Sequence, residues 1–132
     1  MTRVLLALIV AGGVATGCDL SGAGPIQNRR VANGDPARGR ALVASGVYGC
    51  TACHDVPGIR VPKGIVGPRL DGVKRRSFIA GTLPNRPDIL VSFLQNPPAL
   101  VPKTGMPDVR LGAEDARDIA AFLYTLEPSH AP

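Results

Sequence analysis

The chain opens with an unbroken apolar run, from Val4 to Ala11, that follows the basic residue Arg3. Small and weakly polar residues continue from there to Gly17. A positively charged N-terminus, an apolar run and a final stretch of small residues are typical of an export signal peptide. The stretch from Val4 to Gly17 is 14 residues long, which is short for a membrane span, so an uncleaved anchor is the less favoured alternative. The pattern predicts a signal peptide over residues 1–17.

Two later segments repeat apolar residues at the spacing of one helix face. The first apolar set consists of Ile89, Leu90, Phe93 and Leu94. The second consists of Ile119, Phe122, Leu123 and Leu126. We expect Asn85 to cap the first of these helices, and we expect Pro97-Pro98 to end it. The second set predicts the last helix, from about Ala113 to Glu127.

Local signals predict the remaining elements. Asp35 can cap a helix and Pro36 suits its first position, so a helix is expected over Asp35–Ser45, ended by Gly46. Residues 50–54 are expected to form a helical turn, and Val73 to Ala80 a short helix. No strand pattern appears. The chain is therefore predicted to be all-α, with short helices joined by long loops at Asp55 to Gly72 and at Ala99 to Leu111.

The expected domain lies between two less regular segments. Residues 18–32 are polar and without periodicity, which predicts a flexible tether. The folded domain is expected over residues 33–127, followed by a tail at 128–132. Ala15-Thr16-Gly17-Cys18 resembles a bacterial lipobox, in which the cysteine is lipidated and becomes the mature N-terminus, although Ala15 stands where leucine is usual. Ordinary cleavage that leaves Cys18 as a free thiol is the alternative.

Composition and charge limit the cofactors and partners that we expect for this chain. The chain has two tyrosines, three phenylalanines and no tryptophan, although 45% of its residues are hydrophobic. Aromatic side chains usually dominate a small core, so a bound planar cofactor would supply the missing apolar mass. The net charge of the chain is +5. Its basic residues are not interleaved with aromatic residues, so nucleic acid is not expected as a partner. A basic stretch, which is either a solvated face or a docking rim for an acidic protein, contains Arg60, Lys63, Arg69, Lys74, Arg75 and Arg76.

The motif that carries the chemistry is Cys50-Thr51-Ala52-Cys53-His54. Two thiols two residues apart can add to the two vinyl groups on one side of a haem, and the adjoining histidine is then held against the iron. The pattern is typical of covalent haem attachment. The alternatives are a redox disulfide, half of a zinc site, or chance. A zinc site needs four ligands, and the chain adds only Cys18 and His130 to these three.

A second iron ligand has few candidates in this chain. The haem iron of electron carriers usually binds a second axial ligand, and a Met/His ligand pair raises the reduction potential of the iron. Of the two methionines, Met1 lies in the signal peptide, while Met106 stands in an expected loop between Gly105 and Pro107. We predict Met106 as the second axial ligand, with His130 as the remaining alternative.

These motifs together resemble the class I cytochrome c family over roughly Asn33 to Leu126. Besides the Cys50–His54 motif, the resemblance is carried by Gly34–Arg40, Gly67–Leu70, Gly105–Pro107 and Asp118–Leu123. It implies a small all-α cytochrome c fold, with three to five short helices wrapped around one covalently attached haem c.

The resemblance also implies roles for single residues. Cys50 and Cys53 would attach the haem, and His54 and Met106 would bind its iron. The carbonyl of Pro68 would accept the other ring proton of His54 and so hold its tautomer.

The first and last helices would cross, according to the same resemblance. Gly39 would allow their close approach, and Val43 would meet Ile119 and Phe122. Val43 stands where an aromatic residue is common in the family.

As function, the resemblance implies a carrier of single electrons rather than an enzyme. The segment from Ala80 to Pro97 is similar to stand-alone or oxidase-fused cytochrome domains of bacterial respiratory chains, so a membrane oxidase or dehydrogenase is an expected redox partner. We expect an exported monomer on the periplasmic side, held at the membrane by lipid on Cys18. The alternatives are a haem subunit of a dehydrogenase or oxidase complex, and a haem peroxidase or gas-binding sensor, which would need an open iron position.

Overall fold

The computed structural model describes residues 29–60 and 64–129. The predicted signal peptide, Cys18, Lys63 and His130 lie outside them. Over the described ranges, five short helices confirm the predicted fold class. They are α1 (Pro36–Ser45), α2 (Cys50–Cys53), α3 (Pro87–Gln95), α4 (Pro97–Leu100) and α5 (Ala113–Leu123), accompanied by a 3₁₀ turn (Val73–Arg75) and strands β1 (Phe78–Ile79) and β2 (Leu83–Pro84). Within the described residues, no helix has the length and apolar character needed to cross a membrane.

Helix α1 begins and ends where its local signals predict. The Asp35 side chain accepts hydrogen bonds from the backbone N–H groups of Ala37 and Arg38, at 2.8 and 3.2 Å. These bonds satisfy two of the free donors at the helix start. At the other end, Gly46 adopts the left-handed conformation with φ of 74°, which a residue with a side chain would adopt at a cost.

Helices α1 and α5 cross in backbone contact at Gly39. A Cβ atom built on Gly39 would lie 2.0 Å from the carbonyl oxygen of Asp118, so only glycine allows this approach. Val43, Ile119 and Phe122 are all buried in one core cluster beside the crossing. The expected helix crossing is therefore present.

Charged groups reinforce the same crossing. Arg38 on α1 is paired with Glu114, Asp115 and Asp118 on α5. Asp118 is only 3% exposed, and its Oδ1 also accepts a hydrogen bond of 2.8 Å from the backbone N–H of Asp35. A buried carboxylate needs such partners, because an unpaired one would be costly. The hydrogen bonds to Asp118 and Asp115 raise the pKa of Arg38 above its ordinary value.

The predicted cap of α3 is wrong. Arg86 is the residue that precedes this helix, and its side chain makes no capping hydrogen bond. Asn85 instead lies 1% exposed in the core. Its Nδ2 donates to the carbonyls of Val73 and Arg76, at 2.7 and 2.8 Å, and its Oδ1 accepts from the Tyr124 hydroxyl at 2.7 Å. Tertiary partners thus take the polar atoms that a local cap would use. Burial raises the pKa of Tyr124 to about 12, which keeps this donor protonated.

The prediction of a helix over Val73–Ala80 is also wrong beyond the first turn. Only Val73–Arg75 is helical, because side chains of Asn85 and Arg29 occupy carbonyls that a longer helix would use. The chain then forms β1, which pairs antiparallel with β2, so the expectation of no strand is wrong by two short strands. Ala80 and Gly81 make the turn between them with φ of 48° and 73°.

Two further helix boundaries differ from expectation. Pro97-Pro98 does follow the end of α3, but it also begins α4, whose first turn is capped by Asn96 through a 3.1 Å bond from the N–H of Ala99. Proline suits this position because it has no N–H to leave unpaired. The last helix ends at Leu123 rather than Glu127.

Residues just before the predicted domain contact it. Nη1 of Arg29 donates to the carbonyls of Lys74 and Arg76, both at 2.9 Å. Val31 packs against the core. Arg29 and Val31, which lie in the segment that we assigned to the tether, are thus in contact with the domain.

The Gly39 contact generates a stability prediction. Gly39→Ala should lower the free energy of unfolding by about 3 kcal/mol, because the new methyl group meets rigid backbone rather than a flexible side chain. Chemical denaturation of the holoprotein measures this. Gly112→Ala is the matched control, since its Cβ meets nothing within 4 Å, and we expect it to cost less than about 1 kcal/mol. Equal losses for the two variants would contradict the close-contact explanation.

Candidate functional site

Helix α2 presents two thiols one helical turn apart. It follows α1 almost at once, because Gly49 turns the chain with φ of 65° and donates a 2.9 Å bond to the carbonyl of Gly46. Cys50 and Cys53 are half-buried free thiols. Burial raises the pKa of the Cys50 thiol. The predicted helical turn is therefore present.

The loop after the motif lies directly against α2. The N–H of Gly64 donates to the carbonyl of Thr51 at 3.1 Å, and that of Gly67 donates to the carbonyl of Cys53 at 2.7 Å. A Cβ on Gly64 would lie 2.4 Å from the carbonyl carbon of Cys53. A Cβ on Gly67 would lie 2.4 Å from Cε1 of His54. Glycine at both positions thus lets the loop pack against the helix and the imidazole.

The His54 ring is held by one hydrogen bond. Its Nδ1 lies 2.7 Å from the carbonyl oxygen of Pro68, as the family resemblance implies. A carbonyl oxygen only accepts, so Nδ1 carries the ring proton. In the neutral imidazole, Nε2 then carries the lone pair and is the atom available to a metal.

A cavity of about 340 Å³ joins the predicted ligands. Cys50, Cys53, His54, Pro68 and Met106 all line it. Its walls are mainly apolar and come from three helices, through Val43 on α1, Leu90, Phe93 and Leu94 on α3, and Ile119 and Leu123 on α5. The structure therefore brings together every predicted site residue that it describes.

Met106 reaches this cavity from an irregular loop. Its N–H donates to the hydroxyl of Thr104 at 3.2 Å, and the N–H of Thr104 donates to the carbonyl of Val101 at 2.9 Å. Farther along, Asp108 accepts a 2.7 Å bond from the N–H of Arg110, whose φ is 56°. Local hydrogen bonds thus shape this loop in the absence of a helix.

Sequence reasoning missed several cavity residues. Tyr48 lines the cavity and donates its hydroxyl to Asp115, which lowers the pKa of Asp115 and connects the cavity to the α1–α5 crossing. Arg76 and Phe78 line it from the segment that we expected to be helical. The proximity of Tyr48 to the Cys50 motif was a usable signal, whereas nothing local marks Arg76 or Phe78.

Much of the basic stretch is paired within the chain. Arg69 lies 3.3 Å from Asp55 and 3.6 Å from Asp71, and Arg75 lies 3.2 Å from Glu127. Such pairing favours the solvated-face interpretation over a free docking rim. Over residues 29–60 and 64–129, no group of three or more His, Cys, Asp or Glu side chains could hold a metal ion.

A comparison with protein-family models shows to which family this chain belongs. The sequence model of the family described as Cytochrome c matches residues 36–127, a range that contains the Cys50–His54 motif, Pro68 and Met106. The chain belongs to the cytochrome c family. This family binds covalently attached haem c and transfers electrons, and its members are generally carriers rather than enzymes. A comparison with curated proteins found no match.

The cavity of this cytochrome fits haem c. Two thiols one turn apart suit two thioether bonds, and Nε2 of His54 has the lone pair that an axial ligand needs. The thioether of Met106 lies on the lining of the same cavity, and the walls are apolar, as a porphyrin requires.

The packing of Gly67 on the imidazole generates a second prediction. Gly67→Ala should displace the His54 ring from Pro68 and lower the free energy of unfolding of the holoprotein by about 2 kcal/mol. The fraction of exported chain that carries haem should fall as well. Denaturation and haem-to-protein absorbance ratios measure the two effects, with Gly112→Ala as control. A wild-type value for both would show that the contact does not position the ring.

Proposed function

We propose that this cytochrome carries single electrons on one haem c, with Cys50 and Cys53 as its attachment residues. Nε2 of His54 and Sδ of Met106 are the proposed axial ligands. One observation carries the proposal: both thiols, an imidazole protonated on Nδ1 and a methionine line one apolar cavity.

A bound haem would supply the electron chemistry, because its iron can change between the ferric and ferrous states. The residues of the chain hold and tune it. The Pro68 carbonyl fixes the orientation and tautomer of His54. As an axial ligand, Met106 would provide a neutral thioether, which favours the ferrous state and would raise the potential. The mainly apolar walls would disfavour water beside a bound haem, which would keep its surroundings similar in both states.

Two axial ligands favour a carrier over the haem enzyme and sensor alternatives. A peroxidase or gas sensor needs an open iron position, and Met106 would fill it. His54 directly follows a short helix and Met106 lies in a hydrogen-bonded loop, which supports the proposal that little would have to move on electron transfer.

The edge of the cavity is the proposed point of electron exchange. Val66 and Phe78 line the cavity and are 84% and 57% exposed, so apolar side chains reach solvent beside the cofactor site. The proposed partners are redox proteins of a respiratory chain, such as a membrane oxidase or a dehydrogenase. Co-purification in mild detergent separates a free carrier from a permanent subunit of such a complex.

The leader supports a location outside the cytoplasm. We propose export to the periplasmic side of a bacterial membrane and a lipid on Cys18, because residues 1–17 have the pattern of a signal peptide and Cys18 ends a lipobox-like sequence. A single working monomer at the membrane surface is consistent with this arrangement.

Optical spectra and an intact mass test attachment and location together. The exported protein should show the reduced-minus-oxidised spectrum of haem c, and its mass should include one haem. The N-terminal peptide should begin at acylated Cys18. A colourless protein with the mass of bare polypeptide would overturn the attachment, while an unmodified N-terminus would overturn only the lipid anchor.

Replacement of Met106 tests the axial ligand. Met106→Ala should keep the haem attached, lower the potential by more than about 60 mV, which is tenfold in the reduction equilibrium, and let carbon monoxide bind rapidly. Potentiometry and rapid mixing measure the two effects. His130→Ala is the control and should change neither. If His130→Ala produces these changes and Met106→Ala does not, the ligand assignment is wrong.

A further inference from the structure

We infer that two segments flanking the family match form a clasp on the cavity wall, with Arg29 and Ser129 as positioning residues for the haem site. The clasped part, here called the wall segment, is residues 71–76, which lead into β1. Both positioning residues lie outside the matched range of 36–127, so the family match does not account for them. The inference rests on the proposed function, because it takes the cavity to be the haem site.

The preceding flank lies directly on helix α5. A turn brings it there, closed by a 3.3 Å hydrogen bond from the N–H of Gly34 to the carbonyl of Val31. A Cβ on Gly34 would lie 2.7 Å from the carbonyl oxygen of Arg117, so glycine allows this close approach to the helix backbone. Val31 packs against the core. Packing thus fixes the flank before it reaches the wall segment.

Arg29 binds the wall segment at two backbone atoms. Its Nη1 donates to the carbonyls of Lys74 and Arg76, both at 2.9 Å, and both hydrogen bonds are partly buried. These carbonyls stand at the end of the 3₁₀ turn, where no further helical turn follows to satisfy them. Because the donor is charged, each bond is stronger than one from a neutral donor. Arg29 therefore holds the later half of the wall segment.

The following flank holds the start of the wall segment. The N–H and the hydroxyl of Ser129 both donate to Oδ2 of Asp71, at 3.0 and 2.5 Å. These hydrogen bonds lower the pKa of Asp71, which keeps the acceptor ionised. The N–H of Gly72 donates to the carbonyl of Leu126 at 2.9 Å. A Cβ on Gly72 would lie 3.0 Å from Cγ of Pro128, so the proline ring covers this turn.

The wall segment contributes to the cavity that the proposed haem would fill. Val73 is 6% exposed and lines the cavity, and β1 adds Phe78 and Ile79 to the same lining. A segment held from both flanks keeps these apolar side chains beside the cofactor space. Its release would admit water next to a bound haem. Water stabilises ferric iron more than ferrous iron, because ferric iron carries one more positive charge, so a looser clasp would lower the potential.

Ser129→Ala and Arg29→Gln in the holoprotein are the test. In the reduced, diamagnetic state, NMR follows hydrogen exchange at the N–H groups of Gly72, beside the Ser129 contact, and of Arg76, beside the Arg29 contact. If the flanks act as one clasp, each variant should accelerate exchange at both groups by about fivefold or more, the factor for one typical hydrogen bond. Two unconnected contacts would accelerate only the nearer group.

The reduction potential tests whether the clasp matters to the haem site. Both variants should lower it by about 18 mV or more, which is twofold in the reduction equilibrium. Arg30→Gln is the control for charge, because it removes the same charge from the adjacent, exposed residue. Ser45→Ala is the control for the hydroxyl, since Ser45 is exposed and donates to the Leu42 carbonyl of its own helix. Both controls should leave exchange and potential near their wild-type values.

Three results would overturn the inference: acceleration confined to the nearer N–H, a wild-type potential in both variants, or equal changes in the controls. If Arg29→Gln accumulates poorly, the exposed Ser129→Ala decides by its effect on the distant Arg76 N–H. The proposed function is tested separately by the wild-type protein. A wild-type protein without the absorption spectrum of haem c would refute that function before any variant is compared.

Discussion

The backbone contact between Gly39 and Asp118 is the constraint on which the rest of the structure depends. It brings α1 and α5 together, and the buried carboxylate of Asp118 then satisfies Arg38 and the start of α1. Since α2 follows α1 after a short glycine turn, the crossing also determines where the two thiols lie. Tyr48 extends this connection, because it joins Asp115 beside the crossing to the cavity wall.

Side-chain hydrogen bonds replace regular secondary structure over much of the cavity. Asn85 and Arg29 bind the carbonyls of the 73–76 segment, and Tyr124 completes the bonding of Asn85. A loop-rich fold has many backbone polar groups that no helix satisfies, and each needs a partner when it is buried. These buried polar side chains therefore satisfy backbone groups that a longer helix would satisfy through its own hydrogen bonds.

The construction of the cavity suits a one-electron carrier. The chain has little aromatic mass of its own, and the cavity is walled mainly by aliphatic residues, with Tyr48, Phe78 and Phe93, around the space that haem c fits. Glycine at 64 and 67 lets the loop touch the motif, so His54 is restrained both by packing and by the Pro68 carbonyl. Restraint of this kind limits reorganisation when the charge of the iron changes.

By itself, the sequence determined what depends on neighbours along the chain. The spacing of Cys50, Cys53 and His54, the cap of α1 and the apolar stripe of α5 act within one or a few helical turns, so local pattern was sufficient to predict them. The roles of Asn85 and Arg76 were decided only by the tertiary structure. The hydroxyl that Asn85 binds is 39 residues away, and the Arg29 group on the Arg76 carbonyl is 47 residues away, so no local pattern could reveal them. Buried polar atoms take the partners that the fold brings to them, and those partners override local propensity.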